Sequence, residues 1–131
     1  MQMSRKEKDE KELQQTVLDL LCDLTQIFTK SEEESDILVV TFFFKRAHPE
    51  FVMKHAATKL YPHKTQIEEK NVKFFNDNQY IFGALPQDRV EYYRDVIINT
   101  KRISKNNMEC IWEYLDAMIA LVEPHVKHYI K

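Results

Sequence analysis

The stretch "SDILVVTFFFKRAHPE", residues 35–50, decides the fold. Within it, residues 37–44 comprise seven apolar side chains and one threonine. Such a run can be a strand, a membrane element or a helix. A strand needs a partner, and the only other short β-like segment is "QYIF" at 79–82; a lone two-stranded pairing is marginal in water. A membrane span needs roughly 20 apolar residues, whereas Lys45 and Arg46 close this run after eight. A helix fits both flanks. Glu32, Glu33, Glu34 and Asp36 precede the run, where acids complement the positive end of a helix dipole and Ser35 or Asp36 can cap exposed amides. Pro49 stops it. Because apolar residues cover every face, the expectation is a central helix enclosed by others. The triple Phe42–Phe43–Phe44 points three ways at once, so part of it is expected to meet a second subunit.

Working outward, the strongest support for helices is an absence. Gly83 is the single glycine in 131 residues, alongside four prolines. Antiparallel sheets need tight turns, which usually need glycine or Asn-Gly-type pairs at positive φ. Positive evidence follows from spacing. Leu13, Val17, Leu20, Leu21, Leu24, Ile27 and Phe28 form one stripe of a first helix over about residues 5–29. The charged residues 1–12 are expected to be a fraying arm, with the helical domain covering 13–131. Pro49 suits the first position of the next helix, with His48 as its cap. Short helices are expected near 62–70 and 72–77, a loop at Asn76, Asp77 and Asn78, and a break between Gly83 and Pro86. "PQDRVEYYRDVIINTKR" reads as a helix with Val90, Tyr93, Val96 and Ile97 inward. Ser104 caps a last long helix in which Met108, Ile111, Trp112, Leu115, Met118, Ile119 and Val122 step by three and four, up to Pro124. The expected fold is all-α: a compact single-domain bundle of about five or six helices. Leu20, Leu24, Val40, Phe43, Val90, Ile97, Ile111, Trp112, Leu115 and Ile119 should be among its most buried residues.

Composition narrows the function classes. Apolar residues at 44% and charged residues at 31% exclude bulk disorder. A net charge of −2 creates no strong field for nucleic acid or anionic lipid. Cys22 and Cys110 fall within apolar helical patterns and are expected to be reduced core thiols. "MQMSRKEKDEKE" has no apolar core of a secretory signal, and no stretch is long and apolar enough for a membrane. The expected setting is intracellular, without a membrane partner.

No motif names a reaction. A single glycine leaves no phosphate-cradling loop, and there is no G-x-S-x-G or H-E-x-x-H. His125 and His128, three apart, could share a metal on one turn, but a zinc site needs three or four converging ligands. They and His48, His55 and His63 are read as surface or capping histidines, a pH-sensing role for the middle three remaining open. No enzyme, cofactor or metal is expected. Residues 45–73 hold seven Lys/Arg against three Glu, a local net of +4. Lys45, Arg46, Lys54, Lys59 and Lys64 are therefore candidate phosphate contacts, although DNA-binding domains are usually far more basic.

"TFFFKRAHPEFVMKHAATKLYPHKTQIEEKNVKFF", "IFGALPQDRVEYYRDVI" and "IWEYLDAMIALVE" together resemble small helical proteins of unassigned role from nucleocytoplasmic large DNA viruses, of the chlorella-virus and mimivirus kind. The resemblance spans residues 35–123 and implies a viral factory or virion; it carries over no catalytic or binding residue. Two functions remain in view. One is a structural or interaction module that forms a homodimer through apolar helix faces, using Leu13, Val17, Leu38, Phe42 and Phe44. The alternative is a nucleic-acid-associated accessory protein using the basic segment.

Overall fold

The computed structural model describes residues 3–77 and 80–129. Its first helix, α1 (Arg5–Ile27), starts where the Ser4 hydroxyl accepts the Glu7 amide at 3.1 Å. Next come α2 (Ser31–Arg46), α3 (Pro49–Lys59), α4 (Lys64–Glu68), α5 (Lys73–Asp77), α6 (Gln87–Asn99), α7 (Lys105–Val122) and α8 (Val126–Tyr129). Single 3₁₀ turns at Tyr61–His63 and Glu123–His125 follow the helices that Pro62 and Pro124 close. Among the described residues there is no strand, and the domain is an all-α bundle. Tyr80, Ile81 and Phe82 of the β-like segment lie in turns; Gln79, like Asn78 of the expected loop, lies outside the described residues.

The centre of the bundle is α1, which packs against α2, α3 and α7. Its stripe of Leu13, Val17, Leu20, Leu21 and Leu24 is buried, and Phe28 beyond its end is fully so. Residues 5–12 of the charged N-terminal arm are helical and contact the body of the fold. Glu10 is buried and meets Lys6 at 3.0 Å, and Asp9 Oδ2 lies 2.6 Å from His125 Nε2. That contact gives His125 a structural partner across the chain.

Helix α3 begins as its sequence implies, with Pro49 at its first position and the His48 ring accepting the Glu50 amide at 3.1 Å. Ser104 caps α7 by accepting the Asn107 amide at 3.1 Å. The end of α4 has no glycine. Lys70 takes φ 54° there, and the Asn71 amide reaches back to the Gln66 carbonyl at 2.9 Å. A lysine thus occupies a left-handed position that usually goes to glycine, at a cost of roughly 1 kcal/mol. Of the expected core, eight residues are buried; Ile97 is half-buried, and Phe43 faces outward at 39% exposure. Cys22 and Cys110 are exposed, not core thiols. Each sits beside the buried stripe of its helix, one position past Leu21 or before Ile111, where a small side chain is turned to solvent.

Candidate docking face

Helix α2 is where expectation and structure part. It is neither central nor enclosed. Its inner side, Ile37, Val40 and Phe44, joins the core, while Leu38 is 70% exposed, Val39 54% and Phe42 57%. On α3, Phe51 is 44% exposed, and its ring stands edge-on to that of Phe43 at 6.2 Å. Val39, Phe42, Phe43, Arg46, Ala47 and Phe51 line an open groove of ≈ 520 Å³. Leu38, Val39, Phe42, Phe43 and Phe51 are five of the seven large hydrophobic residues exposed among the described residues, the others being Met3 and Val72.

Polar contacts at both ends of α2 hold this face outward. At the C-terminal end, Gln14 on α1 donates from its amide to the carbonyls of Phe44 and Ala47, each at 2.8 Å. Two carbonyls that the helix end would leave unpaired are thereby satisfied. At the N-terminal end neither Ser35 nor Asp36 caps the helix. It begins earlier, at Ser31, and Glu33 accepts the Lys30 amide at 3.1 Å. Glu33 is also buried, accepting from both terminal guanidinium nitrogens of Arg102 and from the Tyr92 hydroxyl at 2.5 Å. Asp36 accepts from Arg89 at 2.8 Å and from the Tyr93 hydroxyl at 2.7 Å. The acids expected to serve the helix dipole therefore also clamp α2 to α6 and to the segment before α7.

The electrostatics of this clamp follow from burial. Burial by itself pushes the Glu33 carboxyl up, but hydrogen bonds from Arg102, Tyr92 and the Lys30 amide outweigh it and hold the group down at about 2. Burial raises Tyr93, reinforced by its bond to Asp36. His55, whose ring stacks between Phe51 at 5.7 Å and Tyr80 at 4.9 Å, is lowered by burial and then by Lys59. It is neutral at pH 7 and serves as packing behind the face.

The candidate interaction residues divide. Leu13, Val17 and Phe44 are buried within the bundle, at 0%, 0% and 1%, and cannot reach a partner. Their helical spacing serves the core instead. Leu38 and Phe42 are on the face. Val39 and Phe43 of the same run and Phe51 of α3 complete it; sequence reasoning placed Phe43 in the core and singled out neither of the others, because an apolar pattern carries no mark of which side meets the core. The basic set divides as well. Lys64 is engaged by Glu123 at 2.8 Å and Glu68 at 3.7 Å, and Arg46 lies over the Phe42 ring at 4.7 Å. Lys45, Lys54 and Lys59 are exposed.

Among the described residues no group of three or more His, Cys, Asp or Glu could hold a metal ion, and no helix is long and apolar enough to cross a membrane. His63 pairs with Gln66 at 2.9 Å, and His128 packs edge-on against Tyr129. No family model, no curated protein and no solved structure matches the chain.

Proposed function

We propose that this protein is a non-enzymatic helical interaction module whose working surface is the outer face of α2 with Phe51 of α3, and that it self-associates through that face. One observation carries the reading: Leu38, Val39 and Phe42 stand in solvent on a helix clamped at both ends. A clamped helix cannot roll to hide them. Contiguous apolar surface of this kind marks a protein contact and is an aggregation hazard if left bare. With a net charge of only −2, the chain has little repulsion to offset that hazard.

Light scattering after size exclusion tests it. The wild type should run at twice 15.7 kDa at micromolar concentration, and Phe42→Glu should return it to 15.7 kDa with an unchanged circular dichroism spectrum. A wild-type species of 15.7 kDa that stays so on concentration contradicts the proposal. The nucleic-acid reading draws chiefly on exposed Lys45, Arg46 and Lys54, since Lys64 is engaged elsewhere. It requires binding that weakens steeply as salt rises.

A further inference from the structure

We infer that the occupant of the face is a second copy of the chain, with α2 laid antiparallel on α2 about a twofold axis at the level of Val40. The inference rests on the proposed self-association through this face and gives its geometry. Glu34, Leu38 and Phe42 are spaced four apart along the outer side of α2, and Lys45 and Arg46 continue that side three and four residues further on. The side therefore reads acid, aliphatic, aromatic, base. Leu38 and Phe42 lie two residues either side of position 40, and Glu34 and Arg46 lie six either side. At ~1.5 Å of rise per residue those offsets are about 3 Å and about 9 Å. Reversing the helix about position 40 sets Leu38 of one copy against Phe42 of the other. It also brings Glu34 of each copy to the Lys45–Arg46 pair of the other, at both ends at once. A parallel pairing would set acid on acid and base on base.

Charge use inside the fold points the same way. Of the four acids in 32–36, Glu32 and Asp36 meet Arg89, and Glu33 meets Arg102. Glu34 has no ion pair among the described residues, and neither Lys45 nor Arg46 has one. The helix dipole accounts for acids at the start of α2 and bases at its end. It does not account for their lying on the same side as Leu38 and Phe42. A twofold contact between copies requires that self-complementarity, because each surface must match itself reversed.

Sedimentation equilibrium with charge reversals tests the pairing. Glu34→Lys alone, and Lys45→Glu with Arg46→Glu, should each weaken dimerisation about tenfold or more, and the three changes together should restore most of it. Cysteine cross-linking in a Cys22→Ser, Cys110→Ser background reads the direction. Val39→Cys lies close to the axis and should link the copies on oxidation. Ser35→Cys should not, since the two sites would stand about 15 Å apart along the helix, well beyond disulfide reach. A dimer that ignores the reversals, or that links through Ser35→Cys, overturns the antiparallel pairing and leaves self-association through the face standing. A chain monomeric at every concentration, or a dimer undisturbed by Phe42→Glu, overturns both.

Discussion

Helices α7 and α2 are both rich in large apolar residues, yet they stand in the fold in opposite ways. In α7, Ile111, Trp112, Leu115, Met118, Ile119 and Val122 all face the core, and Glu113, Asp116 and the small Ala117 and Ala120 face solvent. In α2 the inner side buries an acid, Glu33, beside Ile37, Val40 and Phe44, while Leu38, Val39, Phe42 and Phe43 are turned out. The apolar residues of α7 are explained by folding. Those on the outer side of α2 are not, because a monomer would be served as well by polar residues there. On the proposed reading, the difference separates a helix shaped by one core from a helix shaped by a core and a second contact.

The sharpest way to break the contrast is on the α7 side. Trp112 packs against Phe74 at 6.2 Å and Phe75 at 5.1 Å between ring centres. Trp112→Ala should cost about 3–5 kcal/mol in urea unfolding, a large share of the stability of a domain this size. A variant melting within a degree or two of wild type would remove α7 from the core. The clamp on α2 comes next. Glu33→Gln should cost about 2–3 kcal/mol, since it leaves Arg102 without its carboxylate. The wild type should also lose stability with acid. The Glu33 carboxyl sits at about 2 in the fold against an ordinary 4.5, so its contribution is complete above pH 4.5 and disappears as pH falls toward 2. That loss is worth about 3 kcal/mol, and Glu33→Gln should flatten this part of the stability curve. A profile identical in both proteins would mean that the clamp does not form. The outer face should behave oppositely. Leu38→Ser with Phe42→Ser should change unfolding by less than about 0.5 kcal/mol per site when measured in dilute monomer, while abolishing self-association.

Much of the fold was legible in the sequence, and for identifiable reasons. The caps at His48 and Ser104, the stops at Pro62 and Pro124 and the stripes of α1 and α7 are local chemistry, written at fixed spacings. The position of α2 was not legible. A run that is apolar on all sides fits a central helix and a surface helix with a docking face equally well, and only packing on α1 distinguishes them. Glu33, Arg102, Arg89 and Gln14 were missed because their partners lie 30 to 69 residues away in the chain. In sequence an acid in a helix's first turn looks the same whether it faces water or a guanidinium. The candidate face was half legible: Leu38 and Phe42 were singled out, but so were Leu13 and Val17, from a periodicity that belongs to the core, and Phe44, from a triple of phenylalanines of which it is the one turned inward.

Hydroxyl-radical footprinting of the wild type at low and high micromolar concentration tests most directly whether the outer side of α2 is covered by a second copy. The account predicts that Leu38 and Phe42 oxidise readily in dilute solution and become protected together as concentration rises, with Tyr61 and Met108 unchanged. Oxidation of Leu38 and Phe42 that is the same at both concentrations, in a sample shown by its mass to be dimeric, would place the interface elsewhere and contradict it.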